Sequence, residues 1–217
     1  IGEHGAHALV FGPEGDVYWM IGNFGGTEAS FSARSPFQGA GEEQLLSVMG
    51  DARGHGNQVR APAGFIARLP LSGIMAATGP ATTPEIEIVA GGFRNAYDAA
   101  FNLAGELFTF DSDMEWDINL PWYRPVRTLH LLPGADYGFR YGSGPFPTVY
   151  PDTLPSLSEL GRGSPVGVTF YQGEAFPSEY RDAFLVADWS RGRILVGRQQ
   201  PAGAHAEAAE LVFRCRG

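Results

Sequence analysis

The sequence is short of cysteine, of basic charge and of long apolar runs. One cysteine, Cys215, excludes an internal disulfide and a cysteine-rich zinc site. There is no Cys-x-x-Cys-His, so no covalent haem site lies within these residues. The 15 Lys and Arg are outnumbered by 24 Asp and Glu, for a net charge of −9. Phosphate binding wants a basic face, which argues against nucleic acid or an anionic membrane as partner. No run approaches the ~20 apolar residues of a membrane helix. No signal peptide and no initiator Met are visible. The chain opens inside a motif and stops at Phe213-Arg214-Cys215-Arg216-Gly217 without a closing element, so a fragment of a longer protein is expected.

Glycine and proline, by contrast, are plentiful. The 30 Gly and 16 Pro are spread through all 217 residues. That composition suits many short strands joined by turns and argues against long helices. The first clear unit runs Ala8-Leu9-Val10-Phe11, then Gly12-Pro13-Glu14-Gly15, then Val17 to Ile21 and Asn23. Pro-Glu-Gly brings the preset φ and the permissive glycine of a tight turn. The pattern returns at Ala99-Ala100-Phe101, turning at Asn102 to Gly105 and running on through Glu106 to Phe110 and Asp111. A looser third copy spans Val166 to Leu195, with Asp188 ending its second strand. Three strand–turn–strand copies ending in Asn or Asp predict a repeated sheet unit, as in a propeller. The steps from Phe11 to Phe101 and on to Phe170 are 90 and 69 residues. Blades of about 40–50 residues make these steps of one or two blades with insertions. The expected fold is all-β, a six-bladed β-propeller type with only part of the ring present. Residues 1–217 are read as that single partial domain.

Between the copies, Phe65 to Leu69 and Glu85 to Val89 alternate as strands, and Val126 to Leu132 is an amphiphilic run. Glu42 to Val48 reads as a short helix, and Gly73 to Pro84 and Pro145 to Pro155 as irregular surface coil. Ala202 to Glu210 is Ala-rich, with little in its surroundings to make a stable helix.

Most of the unusual chemistry lies between Gly91 and Gly144. Arg94 offers a planar donor set suited to a quinone or a carboxylate, with an ion pair to Asp98 or a nearby acid as the plainer reading. Asp111, Asp113, Glu115 and Asp117 alternate over seven residues. Closely spaced hard oxygens suit Ca²⁺. Arg124 and Arg127 are the alternative source of countercharge, with no metal. The loop is not an EF-hand, because the Gly and terminal Glu are missing at their required spacing. Trp116, Trp122 and Tyr123 read as packing beside proline rather than as a carbohydrate wall. His4 is a candidate general base or a surface histidine. His7 reads as packing or hydrogen-bonding, and His55 and Asp188 as structural.

Five segments carry a family resemblance: EHGAHALVFGPEGDVYWMIGN, DARGHGNQVRAPAGFIAR, GGFRNAYDAAFNLAGELFTFDSDMEWDINLPWYRPVR, PGADYGFRYGSG and GSPVGVTFYQGEAFPSEYRDAFLVADWSRGRI. In these the chain resembles the glucose/sorbosone dehydrogenase-like propellers of the soluble quinoprotein dehydrogenase superfamily. It looks most like the membrane-bound dehydrogenases of planctomycete-type bacteria. The resemblance implies an oxidoreductase that oxidises a small-molecule sugar or other alcohol with PQQ and Ca²⁺. It implies an extracytoplasmic, periplasmic setting. It further implies a c-type cytochrome domain or another electron acceptor outside this chain.

Residue by residue, His4 takes the place of the family's general base. Asn23 stands where an Asp supports that base, and cannot be an anion. Arg94-Asn95 matches the pair that faces the quinone. The loop from Asp111 through Asp113, Glu115 and Asp117 occupies the calcium region. The family's quinone-contacting Lys falls at Ser190, with Arg191 beside it. Two other classes are compatible with these departures: a non-catalytic propeller that binds a glycan or partner protein, and a calcium-dependent lactone hydrolase.

Overall fold

The computed structural model describes residues 3–25, 31–38, 62–76, 85–117, 120–140, 153–202 and 205–214, with backbone alone from residue 200 on. The expected helix at 42–48, the loop around His55, residues 145–152 and Cys215 lie outside these.

The chain folds as three four-stranded antiparallel sheets, each with its strands in sequence order. The first holds β1 (Ala6–Phe11), β2 (Val17–Ile21), β3 (Gly64–Leu69) and β4 (Glu87–Phe93). The second holds β5 (Ala99–Phe101), β6 (Leu107–Asp111), β7 (Val126–Leu131) and β8 (Ser158–Gly161). The third holds β9 (Pro165–Phe170), β10 (Phe184–Asp188), β11 (Arg193–Ala202) and β12 (His205–Arg214). One short helix, α1 (Leu71–Ala76), interrupts the loop expected from Gly73. β5 lies against β1 on one side and β9 on the other. Meander sheets set side by side along their first strands are propeller-type blades. Each of the three sequence copies is the first and second strand of one sheet, so each step advances by one blade.

Local chemistry explains the hairpins. In the first, Gly12 N–H donates to the Asp16 carbonyl at 2.9 Å, and Gly15 takes φ 88°. A left-handed φ strains any residue with a Cβ, so glycine fits there. In the second hairpin, the Asn102 side-chain oxygen accepts the Glu106 N–H at 2.8 Å, and Asn102 N–H donates to the Glu106 carbonyl. From His205 on, the Ala-rich stretch is strand rather than helix. It is the edge strand β12, paired with β11 from Arg193↔Arg214 to Ala202↔His205. Alanine has low strand propensity, and tertiary pairing overrides it here.

Apolar faces meet between sheets. Met20, Ile66 and Val89 pack against Leu107, Leu129 and Tyr137, joining the first sheet to the second. Phe108, Phe110 and Val126 pack against Val168, Phe184 and Leu195, joining the second to the third. Together these clusters fix the relative height of the three sheets, and therefore of their ends.

Two of the sheets carry the same polar clamp at one end. In the second, Asp111 closes β6 opposite Arg127 of β7, with 2.9 Å between carboxylate and guanidinium. In the third, Asp188 closes β10 opposite Arg193 of β11, at 2.8 Å. Each carboxylate also accepts backbone N–H groups from the segment that leads into the first strand: Arg94 and Asn95 in one case, Ser164 in the other. Burial alone would raise the Asp188 pKa. The Ser164 N–H, the Ser190 hydroxyl and the Arg193 guanidinium outweigh it and hold the carboxyl below its ordinary value. A carboxyl depressed in the folded state contributes stability that is complete above about pH 4 and drains as pH falls through the depressed value. We therefore expect Asp188→Asn to cost roughly 3 kcal/mol at pH 6. It should also flatten the acid-side loss of stability between pH 5 and 3. Urea unfolding across that range checks both; equal slopes in the two proteins would mean that Asp188 does not carry the effect.

Candidate functional site

The strand registers bring most of the sequence-derived candidates to one end of the sheets. Pairing of Ala6 with Ile21 sets His4 beside Asn23. Pairing of Ala99 with Thr109 sets Arg94 and Asn95 beside Asp111. Ser190 and Arg191 lie just past Asp188, at the corresponding end of the third sheet.

Asp111 is the centre of this end. It is fully buried. Its carboxylate accepts N–H groups from Arg94 at 3.0 Å, Asn95 at 2.8 Å and Ser112 at 3.0 Å, besides the Arg127 guanidinium. Arg127 also donates to the carbonyls of Tyr137 and Gly92, at 2.6 and 3.3 Å. A buried carboxylate with this many donors is satisfied and rigid.

The first sheet departs from that pattern. Where the other sheets pair Asp with Arg, it pairs Ile21 with Phe65, and a His–Asn hydrogen bond lies just beyond. His4 is buried, its Nδ1 lies 2.6 Å from Asn23 Oδ1, and its ring stacks on Phe24 with centroids 4.9 Å apart. Asn23 N–H donates to the Arg94 carbonyl at 2.9 Å. The Arg94 backbone is thus shared, its N–H held by Asp111 and its carbonyl by Asn23. The Arg94 side chain is 11% exposed and donates to Ser112 Oγ at 2.9 Å, with Glu115 at 3.8 Å. The nearby acid in the plainer reading of Arg94 is therefore Glu115. Asp98 instead accepts N–H groups from Ala99 and Val168, both at 2.9 Å.

A second His–Asn pair stands next to the first. His7 Nε2 lies 2.6 Å from Asn95 Oδ1, and the His7 ring packs on Tyr97 with centroids 4.2 Å apart. Gly22 lies between the pairs. A Cβ on it would stand 2.4 Å from Asn95 Oδ1 and 2.7 Å from the His4 carbonyl.

The acidic loop does not gather its four carboxylates on one face. Asp111 ends a strand and is clamped by Arg127. Asp117, also buried, takes two donors from Arg124, at 2.8 and 2.6 Å. Asp113 accepts the Tyr123 hydroxyl at 2.6 Å, and Glu115 points out, 62% exposed. Burial pushes the Asp113 carboxyl above its ordinary value, against the Tyr123 hydrogen bond. Among the described residues no three His, Cys, Asp or Glu stand together as a metal would need. Calcium wants six to eight oxygens, and the Arg-paired carboxylates offer no such set. The alternative source of countercharge, Arg124 and Arg127, is in place for Asp117 and Asp111.

At the third sheet, Ser190 Oγ donates to Asp188 at 2.8 Å and Arg191 Nε to the Arg162 carbonyl at 3.0 Å. Arg162 in turn lies over the Tyr123 ring, 4.6 Å from its centroid. This links the third sheet to the acidic loop, but no contact among the described residues joins Ser190 or Arg191 to His4. The residues that sequence reading passed over are Gly22, Ser112, Tyr97 and Arg193. Only Arg193 left a signal, the Asp-then-Arg order across a hairpin.

Gly22→Ala forces its new methyl onto the Asn95 amide or the His4 backbone. We expect a loss of about 1–3 kcal/mol, as for overpacking. Urea unfolding checks it, and a variant as stable as wild type would mean that the two pairs are not held at this separation.

No protein-family model matches the chain, and no curated protein sequence matches it. Solved structures do. The PQQ-bound form of an aldose sugar dehydrogenase from Streptomyces coelicolor superposes with a TM-score of 0.54 at 17% identity, over 96% of this chain and 49% of that one. An oxidoreductase (glucose dehydrogenase) from Thermus thermophilus gives 0.59 at 19%, over 97% and 53%. The apo form of the soluble aldose sugar dehydrogenase from Escherichia coli gives 0.54 at 14%, over 94% and 52%. The chain therefore spans about half the length of these structures, and across that half it has their fold.

Proposed function

We propose that the chain is the base-bearing part of a quinoprotein-type oxidoreductase acting on a sugar or other alcohol. In this reading it supplies three blades of a six-bladed ring of the glucose/sorbosone dehydrogenase type, related to the planctomycete-type membrane-bound dehydrogenases. The observation that carries it is the buried His4–Asn23 pair. It lies at the end of the sheet that the other two close with an Asp–Arg clamp; here the clamp positions are apolar, Ile21 opposite Phe65, and the polar contact just beyond them includes a titratable ring. The shared fold with a PQQ-bound aldose sugar dehydrogenase supports the reading.

With the Asn23 amide oxygen accepting, His4 Nδ1 carries the proton and the ring's lone pair is on Nε2. His4 then takes the hydroxyl proton at Nε2 as hydride leaves the same carbon, and the alcohol becomes a carbonyl. Asn23, held from the second sheet through the Arg94 carbonyl, fixes the ring and its tautomer. Arg94 is the group for the cofactor. Its backbone carbonyl holds Asn23, and its guanidinium donates to the Ser112 hydroxyl, a donor that also fits a quinone oxygen. PQQ, when bound, supplies the two-electron acceptor. The acidic loop does not fit Ca²⁺ as it stands, and no step is assigned to the cation. The electron acceptor downstream is a c-type cytochrome domain or an equivalent, in an extracytoplasmic setting. No helix among the described residues is long and apolar enough to cross a membrane.

A second reading, a non-catalytic glycan-binding propeller, is favoured by one observation. The Ser190 hydroxyl is spent on Asp188, where the enzymes place a charge.

Dye-linked oxidation of aldoses by the whole protein tests the proposal. His4→Gln should lower kcat about 10³-fold, the scale of general-base catalysis. Asn23→Asp should strengthen the base and move the acid limb of the kcat/KM profile to higher pH. Full activity in a His4→Gln, Arg94→Ala double variant would refute the assignment.

A further inference from the structure

We infer that His7, Asn95 and Tyr97 form a saccharide subsite beside His4, which holds a pyranose ring while its hydroxyl reacts. The placement beside a base rests on the sugar-oxidation reading; the three side chains and their geometry do not.

The hydrogen bond between His7 Nε2 and Asn95 Oδ1, 2.6 Å long, uses one polar atom of each side chain. The remaining two atoms, His7 Nδ1 and Asn95 Nδ2, have no partner among the described residues, and neither is a sealed, unsatisfied atom. Their roles are complementary. With Nε2–H donating to the amide oxygen, Nδ1 is left to accept and Nδ2 to donate. Turning the amide over reverses both roles together, so the pair always presents one donor and one acceptor. Two adjacent hydroxyls of a sugar offer the same combination. The pair is also immobilised before any ligand arrives. Asp111 holds the Asn95 backbone N–H, His7 lies on β1, and Gly22 lets the amide approach. Such preorganisation lowers the ordering cost of binding.

Tyr97 supplies the apolar half. One side of its ring packs on His7, and the residue is 44% exposed. Its backbone is pinned, because its carbonyl accepts the Ala8 N–H at 3.4 Å. The ring is therefore a fixed aromatic platform open on one side, next to a donor–acceptor pair. Few polar groups placed beside an aromatic surface are how small-molecule sites combine affinity with orientation. Gly22 sets the subsite against His4 with only one glycine between them. In this proposal a ring stacked on Tyr97 and bonded to His7 and Asn95 reaches toward the segment that carries His4, whose backbone carbonyl lies across Gly22 from the Asn95 amide.

The test is binding rather than turnover. Methyl β-D-glucopyranoside is titrated into the whole protein and followed by ligand-observed NMR. Its blocked anomeric hydroxyl separates binding from oxidation at that carbon. Wild type should bind it. Tyr97→Ala and His7→Ala should each weaken Kd at least tenfold, and Tyr97→Phe, which keeps the ring, should stay within about twofold. Near-UV circular dichroism identifies a variant that has lost its fold, and Tyr97→Leu then replaces Tyr97→Ala. If wild type does not bind the glycoside, or if Tyr97→Ala and His7→Ala bind it unchanged, the subsite is overturned, whatever the enzyme oxidises. Binding that depends on Tyr97 and His7 in a protein without dye-linked activity would keep the subsite and remove the oxidation reading.

Discussion

The candidate site depends on one buried carboxylate. Asp111 has no exposure to water, yet it is a charged group, so its cost must be met by partners. They are three backbone N–H groups and a guanidinium. The four partners come from three parts of the end of the sheets: the segment before β5, the turn after β6, and the start of β7. Because Asp111 holds Arg94 from one side, the Arg94 carbonyl is presented to Asn23, and Asn23 reaches His4. Because it also holds Asn95, the amide of that residue is presented to His7. Both His–Asn pairs therefore inherit their position from a carboxylate that touches neither histidine.

The third sheet repeats this clamp with Asp188 and Arg193, and the repetition gives the first sheet its meaning. An Asp–Arg pair across strands two and three, with backbone donors from ahead of strand one, is the structural default of this fold unit. The first sheet has Ile21 opposite Phe65 at those positions, with the His4–Asn23 hydrogen bond just beyond them. It also has Gly22 where any larger residue would collide with Asn95 or His4.

The hairpins were legible because they rest on local chemistry. Gly15 and Gly105 take positive φ at the turns that Pro13-Glu14 and Asn102 announce. The terminal Asp of the second and third copies was legible as well, since Asp111 and Asp188 stand at equivalent strand ends, while Asn23 lies two residues beyond the corresponding Ile21. What escaped was set by long-range pairing. β12 could not be read from an alanine-rich segment, because its strand character comes from β11. The arrangement of the acidic loop was not legible for a related reason. Alternation predicts one face only for an extended chain, and Asp113 to Asp117 lie in a loop closed by Met114–Arg124 and Asp117–Leu120 bridges. Arg127 was visible as a countercharge, but its cross-strand register with Asp111 was not. Tyr97 and Gly22 have no sequence signature, since their roles arise only where two sheets meet.

The central claim is that this end of the sheets belongs to a quinone-dependent oxidoreductase. Calorimetric titration of the whole protein with PQQ, with and without calcium, tests it most directly. The account predicts saturable binding at one site per chain, lost when Arg94 is replaced by Ala. Absence of binding under both conditions would contradict it, and would leave the His4–Asn23 pair as part of a binding module rather than an enzyme.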